Sequence, residues 1–418
     1  MKFDYKKYFI YVSSFVLYLF PASLILSTFL SNLFVTIISL SFLFYIILRK
    51  TKLPENIFFK LFIIFWLYLI LRSLFAENIF FSVRSSFFYI RYIFFSFAII
   101  FIIENNKYFL KNFLKIFLLT LSILLFDGLI QFLFGTNITG ISTKNLEDGR
   151  ISGLFGKELV LGSFISKIIF LLLAILCLTK INYQKSIFLG TFFFSVIVVL
   201  ISGDRSPFFI IIFLSLILLI LLKFFKLKTK IIFSFFLMSS ILFTIYSSQV
   251  IRDRVINHTT KQLINDFSSE TKTSETKIRK LNIFSKGHEA HYLAAYKMFK
   301  ENIIFGQGPN MFRLLCKKNE YYVEPQSCST HPHNYYIQLL AETGLIGFSF
   351  LIAFFLFIAG NLLFKKLSNF GILISLSLML NLFPLIPTGN FFNSWVANLY
   401  FLSFAFYIYG IKTKLLFK

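Results

Sequence analysis

The segment at residues 329–348, STHPHNYYIQLLAETGLIGF, leads from two histidines directly into a long apolar run. That run covers residues 338–361 and is long enough to approach the ~30 Å hydrocarbon core of a bilayer. Of the 418 residues in the chain, 57% are hydrophobic and only 14% are charged. This composition excludes an ordinary soluble domain and indicates an integral membrane protein.

Apolar runs of this kind recur along the whole chain and predict about twelve transmembrane helices. The first run resembles the apolar part of a signal peptide, but no small-residue cleavage site follows it, so we expect a retained span. The predicted fold class is therefore an all-α polytopic membrane protein. The twelve runs cover residues 8–27, 31–48, 57–75, 86–103, 116–134, 159–178, 187–202, 208–222, 231–247, 338–361, 370–388 and 395–411.

The basic residues predict the orientation of these spans. In a soluble protein the formal net charge of +24 would suggest binding to nucleic acid. Here most lysines lie at the termini and in one set of alternate loops. That set carries twenty Lys and Arg, and the opposite short loops carry five. The positive-inside rule then predicts that both termini are cytoplasmic and that the opposite face is exported. The five are Arg84, Lys144, Arg150, Lys157 and Arg205.

Residues 248–337 form the only long segment of different composition. We expect an exported loop domain there, between spans 9 and 10, with residues 1–247 holding spans 1–9 and residues 338–418 holding spans 10–12. The polar stretch at residues 268–277 predicts a mobile linker. Residues 287–299 have helical spacing, and GQGP at residues 306–309 predicts a turn.

Two of the three cysteines, Cys316 and Cys328, lie in this loop, whereas Cys177 lies in an apolar run. We predict a disulfide between Cys316 and Cys328, which suits an oxidising compartment. The alternative is two free thiols in a reducing setting. A metal site is disfavoured because no CxxC spacing occurs.

All five histidines also fall in the loop, which makes it the expected seat of any chemistry. The plain alternative is that polar residues collect where water is. The HEAH sequence at residues 288–291 lacks the HExxH spacing of zinc proteases, and the HPH pair has no third ligand beside it. An acid/base role for one ring of this pair, with the other orienting substrate, needs fewer missing parts. The five are His258, His288, His291, His331 and His333.

Several cations provide a possible anion site. Arg205 lies in the turn SGDRSP between two spans, where it either pairs with Asp204, reaches to lipid headgroups, or offers a planar fork for a diphosphate. The loop GRISGLFGKE at residues 149–158 lacks a P-loop pattern, and it either holds a lipid-linked phosphate or only connects two spans. Cations inside apolar runs usually face a cavity or a partner. They are Arg72, Arg91 and Lys167.

The sequence HPHNYYIQLLAETGLIGF at residues 331–348 resembles the signature of the O-antigen ligase and O-antigen polymerase superfamily, in which a His-Asn pair precedes a helix with Gly-Leu-Ile-Gly. RISGLFG from Arg150, SGDR at residues 202–205, and the stretch from AYKMF to FGQGP at residues 295–309 support the resemblance. Together these segments span roughly the C-terminal two thirds of the chain.

The resemblance implies a metal-independent, inverting glycosyltransferase without a cofactor, at the periplasmic face of a bacterial inner membrane. It implies as partners an undecaprenyl-diphosphate-linked glycan donor, lipid A-core or another glycan acceptor, and membrane lipids, but no nucleic acid. By position, Arg205 would bind the donor diphosphate, His333 would deprotonate the acceptor hydroxyl, and His331 and Asn334 would shape the site.

Further substrate contacts are expected from four residues. Family members often carry an arginine in the loop before the aromatic-containing helix. Here Lys286 or His288 stands in its place, and this departure leaves the second phosphate contact open. Arg150 and Arg91 complete the expected set.

The resemblance leaves the acceptor undecided between a ligase, a polymerase and a protein-glycosylating enzyme. The single late loop with its histidines favours the ligase. The rival from another class is a transporter or flippase for the lipid-linked glycan, which twelve spans with intramembrane cations would suit. The absence of a clear internal repeat and the histidine-rich loop argue against it.

Overall fold

The computed structural model describes residues 5–49, 54–264 and 284–418. Over these residues the chain is helical and forms no strand, only two isolated β-bridges. The α-helices are α1 Tyr5–Leu26, α2 Thr28–Arg49, α3 Ile57–Ser73, α4 Ile79–Phe87, α5 Arg91–Asn105, α6 Phe109–Phe134, α7 Leu161–Leu178, α8 Gln184–Ile201, α9 Arg205–Leu221, α10 Leu227–Ser247, α11 Gln249–Arg252, α12 His258–Ile264, α13 Lys286–Glu301, α14 Phe312–Leu315, α15 Tyr335–Phe364, α16 Asn369–Asn381 and α17 Ser394–Lys412.

Each of the twelve predicted apolar runs lies on helical structure. Among the described residues, nine helices are long and apolar enough to cross a membrane, with Ile79–Asn105 counted as one. The other three runs lie on α3 and α9, each of 17 residues, and on α16, with 13. The all-α prediction is confirmed, and the chain is a multi-pass membrane protein.

One predicted run is longer than its helix. The run at residues 370–388 becomes α16, which ends at Asn381, and residues 382–393 form a largely irregular loop before α17. Pro384 and Pro387 explain the early end, because the residue before a proline disfavours helical backbone and proline itself cannot donate a hydrogen bond. This loop, residues 382–393, supports the candidate site described below.

The centre of the bundle is formed by α7, α16 and α17. Nearly every residue of α16 is buried, and α16 packs along α7. Such a helix, apolar on all sides, is typical of the middle of a large helical assembly. By contrast, α10 lies at the periphery, with only Leu237 and Ile241 buried.

The loop segment comprises residues 248–334, and its described parts, residues 248–264 and 284–334, pack onto the bundle. Its helix α13 covers the helical spacing predicted for residues 287–299 and contacts α15. A small apolar core of its own holds Ala294, Met298 and Phe312. Cys316 and Cys328 are joined by a disulfide in this segment, with their Cα atoms 5.2 Å apart. The linker predicted at residues 268–277 lies outside the described residues.

A break in α15 fixes the loop segment to the bundle. Gly344 leaves helical geometry with φ 61° and ψ −164°, and a Cβ there would lie 2.3 Å from the carbonyl oxygen of Ile304. The freed carbonyls of Ala341 and Glu342 accept hydrogen bonds from the loop backbone, at 2.9 and 2.8 Å. Arg72 of α3 also donates to the carbonyl of Gly306 at 3.0 Å. The start of α15 is therefore held from two sides.

Candidate functional site

Four histidine rings meet where the loop segment joins α15. The ring of His333 is central, with centroid distances of 4.1 Å to His331, 5.2 Å to His291 and 5.4 Å to His288. His288 and His291 lie three residues apart on α13, so they share one face of that helix. We call these four residues the histidine cluster. In the described part of the chain His258 is exposed at the start of α12, and its ring is not among those in contact.

His333 has a left-handed backbone, with φ 56°. This conformation is uncommon for residues other than glycine and needs support from its surroundings. Thr388, in the loop at residues 382–393, donates its backbone N–H to the carbonyl of His333 at 2.8 Å. The Thr388 hydroxyl accepts a bond from the Tyr335 N–H at 3.0 Å. The strained residue is thus fixed by a loop more than fifty positions away in sequence.

Asn334 is the second support of His333. Its side-chain oxygen caps α15 by accepting the N–H groups of Tyr336 and Ile337 at 3.0 and 3.2 Å. Its side-chain nitrogen donates to the carbonyl of Pro384 at 2.7 Å. Asn334 is 2% exposed, and its amide therefore positions the histidine segment. The contact with substrate predicted for it stays a prediction.

The preceding residues hold His331 from the other side. The hydroxyl of Thr330 contacts Nδ1 of His331 at 2.9 Å, and the hydroxyl of Ser329 donates to the His331 carbonyl at 2.5 Å. Cys328, the residue before Ser329, forms the disulfide with Cys316. The histidine segment is therefore tied down covalently before His331 and by a helix cap after His333.

The histidines are kept neutral by their surroundings. Burial lowers the pKa of His333 to about 3, with further lowering by the three neighbouring imidazoles. Burial likewise lowers the pKa of His331 to about 4, and it lowers the pKa values of His288 and His291 from their usual range. Burial disfavours the charged form of an imidazole. At neutral pH the cluster thus offers unprotonated rings that can accept protons.

Arginines adjoin the histidine cluster. Arg205, the first residue of α9, is near enough for its positive charge to contribute to the lowered pKa of His288. Asp204 before it forms an ion pair with Arg150, whose Nε also donates to the carbonyl of Ser202 at 3.3 Å. The loop at residues 149–158 and the SGDR turn, which the sequence could only relate by analogy, are therefore in contact.

A third arginine completes this group. Arg254 lies just after α11 and forms an ion pair with Asp148 at 2.5 Å. Burial is the main cause of the lowered pKa of Arg150, and the positive charge of Arg254 lowers that pKa further. We call Arg150, Arg205 and Arg254 the arginine cluster. Nearby anions relieve the repulsion between these guanidinium groups, and Asp204 and Asp148 already supply one each to Arg150 and Arg254.

The other two predicted substrate contacts are placed differently. Lys286 begins α13, two residues before His288, whose Nδ1 lies 2.6 Å from the capping hydroxyl of Ser285. Arg91 begins α5 and donates to the hydroxyl of Tyr92 at 2.9 Å. No contact of Arg91 with either cluster is found in the described residues. Lys286 therefore lies beside the histidine cluster on α13, and the substrate contact predicted for Arg91 stays a prediction.

Sequence reasoning missed several residues of the site. The sequence could have indicated His291, since its spacing from His288 puts both side chains on one face of a helix. Arg254 stands in the charged sequence RDR directly after an apolar run. Arg313 donates to the carbonyl of Thr330 at 3.4 Å, and its charge contributes to the lowered pKa of His331. No feature of the sequence indicates Thr388, because its role depends only on a tertiary contact.

Among the described residues, no group of three or more His, Cys, Asp or Glu side chains is arranged to hold a metal ion. The four histidine rings contact one another by their faces and edges instead.

Residues 190–352 match the family model described as O-antigen ligase. Over these residues the chain is similar to the O-antigen ligase superfamily. The match runs from within α8 through the loop segment into α15 and includes both Arg205 and the histidine cluster. Arg150 and Arg91 precede it. No curated protein matches the chain.

The candidate site therefore combines two chemical capacities. The histidine cluster supplies neutral proton acceptors, and the arginine cluster supplies fixed positive charge next to it. A reaction that removes a proton from one group and releases an anion from another would use both.

Proposed function

We propose that this protein transfers a glycan from undecaprenyl diphosphate to an acceptor hydroxyl at the periplasmic face of the bacterial inner membrane, with both termini cytoplasmic. The observation that carries the proposal is His333, a neutral imidazole held in a strained backbone between three other histidines and adjoining Arg205. Strained residues and perturbed pKa values concentrate at functional sites.

In the proposed reaction, His333 accepts the proton of the acceptor hydroxyl as its oxygen attacks the anomeric carbon of the donor sugar. The bond from that carbon to the diphosphate oxygen breaks, and its electron pair leaves with the diphosphate. Attack from the face opposite the leaving group inverts the configuration. Arg205 stabilises the charge that develops on the diphosphate.

The low pKa of His333 has a consequence for this mechanism. A ring with a pKa of about 3 is a weak base until its surroundings change. A bound diphosphate brings negative charge next to His288 and Arg205, and negative charge raises the pKa of a nearby imidazole. The donor thus makes His333 a stronger base when it binds.

The arginine cluster takes the part that a metal ion plays in many enzymes that release a diphosphate. In this proposal Arg205, with Arg150 and Arg254 nearby, supplies preorganised positive charge in a partly buried setting. Lys286 and His288, at the start of α13, are the candidates for a second phosphate contact. No metal or cofactor is required by these residues.

The acceptor we favour is lipid A-core, which makes the protein a ligase. The test is transfer by purified protein in sealed proteoliposomes, from an undecaprenyl-diphosphate glycan to either lipid A-core or a second lipid-linked glycan. Mass spectrometry of the products shows the new glycosidic bond. Product with lipid A-core supports the ligase, product with the second lipid-linked glycan identifies a polymerase, and movement of donor without product identifies a transporter.

Arg205→Gln tests the donor contact in the same assay. We expect a loss of roughly 10²–10³-fold in the transfer rate, as for removal of one preorganised charge-stabilising group. Arg84→Gln is the matched control, because Arg84 is an exposed arginine on α4 and we expect full activity from it. Equal activity of the two variants would reject the assignment of Arg205.

A further inference from the structure

Arg313, on α14, is a cation of the loop segment that lacks an anionic partner. In the part of the chain that the structure describes, no carboxylate forms an ion pair with it. Its guanidinium donates to the carbonyl of Thr330 at 3.4 Å, which is long for a hydrogen bond, and its Nε is buried without a partner. Buried polar groups are normally paired, so this guanidinium has donors left for a ligand.

The carboxylate of Glu342 is near enough for its charge to interact with that of Arg313. Its oxygens are already occupied by the N–H groups of Asn310 and Phe312, both at 2.9 Å, and by the amide of Gln338 at 3.0 Å. Glu342 therefore does not use the free donors of Arg313.

The backbone and ring contacts around Arg313 hold its guanidinium in place. The ring of Phe81 on α4 lies 5.7 Å from the guanidinium carbon, and the neighbouring Phe312 is bound through its N–H to α15. Cys316, three residues further on, forms the disulfide with Cys328. A cation that is fixed before binding loses little conformational freedom when a ligand arrives.

Arg313 adjoins the histidine cluster on the side of His331. The Thr330 carbonyl accepts its hydrogen bond, and the Thr330 hydroxyl contacts Nδ1 of His331 at 2.9 Å. The ring of His331 lies 4.1 Å from that of His333. Arg313 is therefore connected to the proposed base through two adjacent residues.

Arg205 adjoins the histidine cluster on a different side. Its charge acts on His288, whose ring lies 5.4 Å from that of His333, whereas the charge of Arg313 acts on His331. Since His333 contacts both rings, it lies between the two arginines. An inverting transfer needs such a separation, because the attacking hydroxyl approaches the anomeric carbon opposite to the leaving group.

We propose that Arg313 binds an anionic group, a phosphate or a carboxylate, on the acceptor glycan, an inference that rests on the proposed function. In that function Arg205 stabilises the leaving diphosphate, so the cation on the other side of His333 is left for the acceptor. A planar guanidinium binds either anion with two parallel hydrogen bonds. This contact orients the accepting hydroxyl toward His333 and makes the enzyme select a charged acceptor.

The first experiment compares four forms of one acceptor, a core oligosaccharide freed from lipid A. The forms are untreated, dephosphorylated, carboxyl-reduced, and neutral after both treatments. For the wild type we expect a KM at least about tenfold higher for the neutral form than for the untreated form, because hydrogen bonds between charged groups are the strong ones. The two singly treated forms show whether the phosphate or the carboxylate is bound.

Arg313→Gln removes the charge in the same assay. We expect its KM for the untreated acceptor to rise at least about tenfold, while its KM for the neutral acceptor and its KM for the donor stay unchanged. Arg313→Lys keeps the charge without the planar fork, and we expect an intermediate KM for the untreated acceptor.

Lys317→Gln is the matched control, since Lys317 is exposed in the same segment and the change of charge is equal. We expect wild-type constants from it. The proposal is overturned if Arg313→Gln raises the KM of the untreated and neutral acceptors equally, as a structural defect would, or if it raises the KM for the donor. Equal KM values of the wild type for the untreated and neutral forms would also overturn it.

A second experiment measures acceptor binding without donor. The probes are the untreated and the neutral oligosaccharide, each with a fluorescent label, added to the full-length protein in phosphatidylcholine nanodiscs. We expect fluorescence anisotropy to show at least about tenfold tighter binding of the untreated form to the wild type and equal binding of both forms to Arg313→Gln. Absence of any preference in the wild type would overturn the proposal.

The two experiments separate this proposal from the proposed function. Binding of the untreated oligosaccharide that depends on Arg313, without transfer to any acceptor, would reject the transferase and retain the anion site. Transfer with equal KM values for the untreated and neutral acceptors would retain the transferase and reject the site.

Discussion

Two polar clusters contact the first turns of α15, and they differ in how completely their hydrogen bonds are satisfied. Glu342 accepts the N–H groups of Asn310 and Phe312, both at 2.9 Å, and the side-chain amide of Gln338 at 3.0 Å. That amide also donates to Asn390 at 2.9 Å. Both oxygens of the buried carboxylate therefore have donors.

The histidine cluster and its neighbours are less satisfied. Within the described residues, Nδ1 of His291, the hydroxyl of Tyr292 and Nε of Arg313 are buried without a hydrogen-bond partner. Burial also raises the pKa of Tyr292 to about 12, so its hydroxyl stays protonated. Buried polar groups in proteins are normally paired. The Glu342 network thus holds the loop segment in place, whereas the histidine cluster keeps polar capacity that a sugar or a phosphate can use.

The largest effect on stability is expected from Glu342→Ala. The change leaves the N–H groups of Asn310 and Phe312 and the amide of Gln338 without their acceptor, at about 1–3 kcal/mol for each buried group. We expect a loss of roughly 3 kcal/mol or more in the free energy of unfolding, measured by thermal unfolding in detergent. Glu320→Ala, at an exposed glutamate, is the control. Similar unfolding temperatures for the two variants would contradict the structural role of Glu342.

A smaller effect is expected from Thr388→Val. Valine removes the hydroxyl that accepts the Tyr335 N–H and keeps the backbone bond to His333. The expected loss of stability is about 1 kcal/mol. Since Thr388 positions the base without touching substrate, kcat should fall while the KM for donor stays constant. Thr260→Val, on exposed α12, should change neither constant, and a change confined to KM in Thr388→Val would reject the positioning role.

Replacing His291 by Phe tests the histidine cluster, where we do not expect the loss of stability predicted for Glu342→Ala. Phenylalanine keeps a ring stacked on His333, removes the unpartnered Nδ1, and loses the hydrogen bond between the imidazole and the backbone of Ser327. Replacing an unsatisfied polar group by an apolar one of similar shape is often neutral or stabilising, and this offsets the loss of one hydrogen bond, about 1 kcal/mol. We therefore expect an unfolding temperature close to that of the wild type, with His258→Phe as the exposed control. A clear loss of stability would show that His291 is a structural residue like Glu342.

The smallest change is expected near neutral pH. Because the pKa of His333 in the free enzyme is about 3, kcat/KM should stay constant from about pH 7.5 to about pH 6, where a histidine of ordinary pKa ~6.5 becomes protonated. In the proposed mechanism the acid limb of kcat lies at higher pH, because a bound diphosphate would raise the pKa of His333. A fall of kcat/KM with a midpoint near ~6.5 would show an unperturbed histidine as the base.

Stability has its own dependence on pH. In the unfolded chain His331 and His333 take up protons near pH ~6.5, whereas in the folded protein they do so only near about 4 and about 3. The unfolded state binds more protons between these values, so stability is unaffected above the unfolded pKa and decreases as pH falls below it. Thermal unfolding measured at decreasing pH should follow this direction.

Much of the fold could be predicted from the sequence, because apolar run length alone indicates a membrane span. Every run contains a helix, but the run at residues 370–388 extends past the end of α16, because apolar content alone does not show that the segment with Pro384 and Pro387 leaves the helix. Gly344 breaks α15, and the apolar run at residues 338–361 does not predict that break, because a single glycine is also compatible with an unbroken helix.

The site was predictable in part. The histidines of the loop segment and Arg205 were identified from residue type and resemblance, and the structure brings them together. Two contacts depend on how distant segments pack. They are the ion pair between Arg150 and the SGDR turn and the hydrogen bond from Thr388 to His333. Local patterns do not contain that information.

The central claim is that His333 acts in the reaction and is not merely part of the fold. Asn is among the residues best able to adopt the positive φ of this position, so His333→Asn removes the imidazole with little effect on the backbone. The measurement is the rate of glycosidic-bond formation by wild type and variant, with the unfolding temperature of the same samples. The account predicts a rate lower by roughly 10²–10⁴-fold at an unchanged unfolding temperature, and transfer at the wild-type rate by His333→Asn would contradict it.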